Sequence, residues 1–139
     1  MADELKAAIL SSTSGLRAQS TRIRIVSENL ANASATSSVP GGNPYARKTI
    51  SFAQELDRAS GVSVVRTSAI GRDQAPFPAQ HNPGHPAADA AGYVKLSNVN
   101  PLVELSDMRE AHRSYEANLQ VVRQAREMMG DLIDLLKGR

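Results

Sequence analysis

Both ends of the chain carry a seven-residue repeat of apolar positions, and this repeat constrains the fold more than any other feature. Leu5, Ile9, Ser12, Leu16, Gln19, Ile23, Val26 and Leu30 follow one another in steps of four and three. Leu105, Met108, His112, Tyr115, Leu119, Val122, Arg126, Met129, Ile133 and Leu136 do the same in steps of three and four. Such spacing puts every member on one stripe of an α-helix and suits two helices pairing side by side. Ala7, Ala8 and Ala18 favour helix in the first segment, and Asp3 and Glu4 suit the positive end of its dipole. The Ser-, Pro- and Gly-rich run after Asn32 predicts a stop there. Asn100 followed by Pro101 predicts the start of the second helix, a capping residue and then Pro at the first helical position. A flanking row, Val121, Ala125, Met128, Leu132 and Leu135, widens the second apolar face, and Met108, Met128 and Met129 read as core filler.

Residues 34–100 hold six of the seven Pro and six of the nine Gly, so they read as turns and short strands. Thr49–Leu56 alternates, with Ile50, Phe52 and Leu56 on one face. Gly61 opens a Val/Ser/Thr-rich run to Ile70, Phe77–Pro86 is extended and irregular, and Tyr93–Leu96 is one more short strand. The expected fold is therefore mainly α. Two long terminal helices, in residues 1–33 and 101–139, pair as an antiparallel coiled-coil hairpin, and residues 34–100 form a small irregular β-containing insert. The seam is impure, because Ser12, Gln19, His112 and Arg126 sit on it. Helices with such seams bind each other weakly and are better buried among several neighbours, which points to a bundle made between subunits.

Composition removes several kinds of chemistry. The chain has no Cys, which excludes thiolate metal sites, disulfides and a Cys nucleophile. A net charge of +2, with only two Phe and three Tyr to stack on bases, speaks against nucleic acid as a partner. No stretch approaches the length of a membrane span, so no direct membrane span is expected. The first residues lack the apolar core of a secretory signal peptide, so a cytoplasmic protein, or export by a route without such a signal, is expected. His81, His85 and Asp89 have the spacing of a helical metal face, but Pro83 and Pro86 forbid the helix, and no metal site is expected. Arg17, Arg22, Arg24 and Arg47-Lys48 read as a solvated face with ion pairs rather than a phosphate-binding patch. No catalytic set and no cofactor-binding loop is expected. In Asn29-Leu30-Ala31-Asn32, two Asn three apart suit a helix end. On the residues alone, a cytoplasmic coiled-coil adaptor and a small nucleic-acid-binding helical protein stay open beside the assembly subunit.

The run Ile25-Val26-Ser27-Glu28-Asn29-Leu30-Ala31-Asn32-Ala33-Ser34 resembles the N-terminal signature of the flagellar axial proteins, those of rod, hook and hook-associated segments. Gly41–Lys48, Asn82–Val94, Asn98–Met108 and Ser114–Asn118 resemble, in order along the chain, the C-type proximal-rod family of the flagellar basal body. The resemblance implies a non-enzymatic structural subunit of the rod in the periplasm, exported by the flagellar type III apparatus without a cleaved signal peptide. It implies self-assembly, with the other proximal-rod proteins, the rod-to-base adaptor protein and the distal rod protein as partners, and no cofactor. Subunit interfaces are then expected at the helix seams and the signature: Leu5, Ile9, Leu16, Ile23, Val26, Asn29, Leu30, Asn32, Leu105, Met108, Tyr115, Leu119, Val122, Met129, Ile133 and Leu136.

Overall fold

The terminal segments form the two long helices that their periodicity predicts. In the computed structural model, which describes residues 1–138, α1 spans Ala2–Ala31 and α2 spans Pro101–Leu136. Between them lie β1 (Lys48–Asp57), β2 (Val62–Arg72), β3 (Ala79–His81) and β4 (Tyr93–Lys95). β1 pairs with β2 as a hairpin, and β3 pairs antiparallel with β4 with Gln80 opposite Val94. The start of α2 is built as its sequence suggests. The Asn100 side chain accepts a hydrogen bond from the Leu102 N–H at 3.0 Å, and Pro101 spends no donor in the first turn. At the other end of α1, the Asn32 side-chain amide donates to the Glu28 carbonyl at 2.8 Å, satisfying one of the carbonyls that a helix end leaves open. Gly61 closes the first hairpin with a φ of 67°, a left-handed conformation that costs glycine nothing.

The chain divides into two compact units, each drawing on both helices and on the residues between them. The first comprises Met1–Ile23, Ser51–Ala69 and the chain from Arg109 onward. Here the helices run antiparallel. Leu5 and Leu132 line one groove, Gly15 lies under Asn118, and Arg22 pairs with Glu110 at 3.7 Å. A Cβ on residue 15 would sit 2.9 Å from the Asn118 amide nitrogen, so any larger residue there would push the Asn118 side chain aside. β2 rests on α1 through the buried Val64 and through the Val65 N–H, which donates to Ser14 Oγ at 3.0 Å. The buried groups here are mostly small: Ser12, Ala18, Val64, Ala111, Val122 and Ala125. Gln19 Oε1 is buried with no hydrogen-bond partner among the described residues.

The second unit comprises Arg24–Ile50 and Ile70–Met108. Its interior holds Ile25, Val26, Ala87, Val94 and Val99, together with Asn29, Ser97 and Glu104.

The inward stripe of α2 corrects the expected seam. Met108, Tyr115, Val122 and Met129 face inward as expected, but they alternate with Glu104, Ala111, Asn118, Ala125 and Leu132. The sequence pattern had given those alternate places to Leu105, His112, Leu119, Arg126 and Ile133, one residue further on. Leu105, His112, Arg126 and Ile133 are exposed, and Leu119 is half-buried. The physical reason is that rows on either side of the Met108–Met129 line are equally compatible with helical periodicity. The row that turns inward is the one with the smaller side chains, Ala111 and Ala125 among them. Met128 is exposed as well, so it is not core filler, whereas Met108 and Met129 are partly covered. Phe52 and Leu56 stay exposed, so the alternating face of β1 is not covered within the chain.

Ile25 is 2% exposed. Ile25→Ala is expected to lower the unfolding free energy by about 2–5 kcal/mol, the usual cost of such a cavity. Denaturant titration of the full chain checks this, and a loss below about 1 kcal/mol would contradict the burial.

Candidate assembly interface

The signature around Asn29 builds a polar hub rather than a helix stop. Asn29 is 1% exposed on the last turns of α1. Its side-chain amide donates to the Lys48 carbonyl at 2.9 Å and to Glu104 Oε2 at 3.0 Å. Its carbonyl oxygen accepts from the Lys48 N–H at 2.9 Å and from the Tyr45 hydroxyl at 2.8 Å. Both donors and both acceptor positions of the amide are thus used, the condition for burying it without penalty. The pair of bonds to Lys48 holds the first residue of β1 as a neighbouring strand would. Asn32 serves as the helix stop, so the two Asn have separate tasks.

Glu104, on the first turn of α2, has no exposed surface. Its second oxygen accepts from Arg47 Nε, and its charge is therefore paired. Arg47 also lies 3.8 Å from Asp73 and is held through its backbone, its N–H donating to the Asn98 side chain at 2.7 Å. Asn98 in turn donates to the Ala75 carbonyl at 3.0 Å. Closer to solvent, Glu28 accepts from Lys48 Nζ at 2.6 Å and from Arg24 at 2.7 Å. Those two bonds hold the Glu28 carboxyl below its ordinary pKa, Lys48 contributing more than Arg24. Burial pushes the Tyr45 hydroxyl up.

The remaining candidates disperse. Arg22, Arg24, Arg47 and Lys48 each face an acid, and Arg17 lines a cleft beside β2, so the basic residues do not form one patch. His81 lies edge-on to Tyr93, His85 Nδ1 accepts from the Ala87 N–H, and Asp89 accepts from the Ala91 and Tyr93 N–H groups. His81 thus makes a contact across the β3–β4 pair, whereas His85 and Asp89 each accept backbone N–H groups close by in sequence.

The seam and signature residues fall into three groups. Val26, Asn29 and Val122 are buried within the chain. Leu5, Ile9, Leu16, Ile23, Leu30, Asn32, Met108, Tyr115, Leu119 and Met129 are half-buried. Leu105, Ile133 and Leu136 are exposed, at 44%, 46% and 88%. Leu102, Val121, Met128 and Leu135 are exposed as well, and Ile133 and Leu136 continue the inward stripe of α2 past Leu132 to the helix end. Sequence reasoning missed Glu104, Arg47, Tyr45 and Lys48 as partners of Asn29. A charged residue at the first turn of a helix reads as dipole complement, and nothing local ties it to a residue 75 positions earlier.

Two long helices, a small β insert, a buried polar clamp joining the end of α1 to the start of α2 and large apolar residues exposed along α2 make up the frame, and comparison with known proteins puts it in the flagellar axial class. Family patterns match both ends: "Flagella basal body rod protein" over residues 9–37, and "Flagellar basal body rod FlgEFG protein C-terminal" over residues 90–135. The chain is 55% identical over 135 residues to the flagellar basal-body rod protein FlgC of Agrobacterium fabrum, covering 97% of each. It is 39% identical over 118 residues to FlgC of Salmonella typhimurium, covering 84% of this chain and 86% of that one. Identity to FlgC of Borreliella burgdorferi is 37% over 144 residues, covering 91% and 93%. The chain belongs to the FlgC family of flagellar basal-body rod proteins.

The Glu28 ion pairs set an acid limit. Its folded-state pKa lies below the unfolded value near 4.5, so the pairs stabilise the fold above that pH, and the contribution fades as pH falls through the folded pKa. Glu28→Gln is expected to flatten the acid-side fall in stability, read by urea unfolding from neutral pH downward. An acid profile unchanged by the substitution would contradict the pairing.

Proposed function

We propose that the chain is a structural subunit of the flagellar proximal rod and carries no catalytic activity. Its helical segments, residues 1–33 and 101–139, form the rod core with those of neighbouring subunits, and residues 34–100 pack outside them. Long helices laid lengthwise against each other make a stiff shaft that transmits torque. The observation that carries this reading is the large apolar surface left exposed along α2 among the described residues, at Leu102, Leu105, Ile133, Leu135 and Leu136. Membership of the FlgC family supports it, and no helix among the described residues is long and apolar enough to cross a membrane. The partners are further copies of this chain, the other proximal-rod proteins, the rod-to-base adaptor protein and the distal rod protein. The site of action is the basal body in the periplasm, reached through the flagellar type III export apparatus without a cleaved signal peptide.

Ile133→Asp tests the reading. The side chain is exposed, so the isolated chain is expected to keep its stability within about 0.5 kcal/mol. Cells carrying the change are expected to make the protein but to lack rods in electron micrographs of basal bodies, and to be non-motile. Motile cells with intact rods would show that Ile133 meets no neighbouring subunit.

A further inference from the structure

We infer that Glu104, held by Asn29 and Arg47, fixes the register in which α1 and α2 pair. Glu104 has no exposed surface, and only one axial setting of the helices gives it both partners. A seam on a seven-residue repeat tolerates sliding by whole repeats, each about 10 Å along the axis, unless some residue forbids it. The rest of this seam forbids little. In the first unit the buried residues of the two helices are small, Ser12, Ala18, Ala111, Val122 and Ala125, and Tyr115, Met129 and Leu132 are only half-covered, with Asn118 over Gly15. That contact is with the end of an amide side chain, which can swing aside.

The hub discriminates. A slip of one repeat in one direction sets Glu104 level with Thr36, beyond the end of α1 at Ala31. The opposite slip sets it level with Arg22, which would trade Glu110 for Glu104 but leave Asn29 and Arg47 without their carboxylate. A buried charge stripped of its partners is among the costliest arrangements in a protein. A buried ion pair exchanged for apolar groups of similar size is often neutral for stability, because desolvation offsets attraction. The pair's value here is therefore in choosing one arrangement, as a single buried polar residue does in coiled coils.

The test replaces the ion pair and reads register directly. Arg47→Met with Glu104→Leu removes the pair and leaves Asn29 bonded to Lys48 and Tyr45. Cysteines introduced at the exposed Ser27 and Ser106 carry spin labels, and the chain has no native Cys to interfere. With the hub intact, the label distance is expected to be single. In the double variant a second population is expected, displaced by about 10 Å along the axis. Arg47→Met alone, which leaves Glu104 only its hydrogen bond from Asn29, is expected to lower the unfolding midpoint below that of the double variant. A folded double variant with one unchanged distance would overturn the inference. So would a double variant that does not fold, because the hub would then act through stability rather than choice of register.

Discussion

Four hydrogen bonds to one side-chain amide join the end of α1, the entry to β1 and the start of α2. Asn29 supplies the amide, Lys48 takes two of the bonds through its backbone, and Tyr45 and Glu104 take the others. A polar group so deeply buried is costly unless its bonds are made, and here every donor and acceptor of the amide is used. The hub ties three segments far apart in sequence, and the apolar residues around it, Ile25, Val26, Val94 and Val99, depend on the same closure for their burial.

Away from the hub the chain is held more loosely. The inward stripe of α2 after Arg109 is made of alanines, one valine and half-covered residues, while Val121, Met128, Ile133, Leu135 and Leu136 are exposed. Small inward residues bring helices close but bury little apolar surface, so they contribute little per residue. The exposed leucines and Ile133 would contribute much more against a neighbour. This division suits a subunit whose helices gain most of their burial in an assembly. One region carries the specific polar geometry, and another carries apolar surface for partners.

The helix boundaries were legible because their signals are local. Asn100-Pro101 starts α2, and the proline-rich run after Asn32 ends α1. The strand segments showed in alternation and turn residues, to within a few positions. Which side of α2 turns inward was not legible. Met108, Tyr115, Val122 and Met129 belong to two overlapping stripes, and hydrophobicity favours the one that stays outside. The hub was not legible either. Glu104 looks like an ordinary acidic first turn, and its partners Arg47 and Asn29 lie 57 and 75 residues away. The Asn29–Asn32 signature stood out by resemblance, but its spacing suggested two helix-end residues, and only the fold separates the stop from the clamp.

Backbone amide exchange on the full chain at low concentration tests most directly that the hub holds one region firmly while the far end of α2 awaits partners. Slow exchange is expected at Ile25, Val26, Asn29 and along the first turns of α2 past Glu104. Fast exchange is expected from Arg126 to Leu136, becoming slow in isolated rods. Uniform protection along both helices in the dilute chain, or rapid exchange around Asn29, would contradict this account.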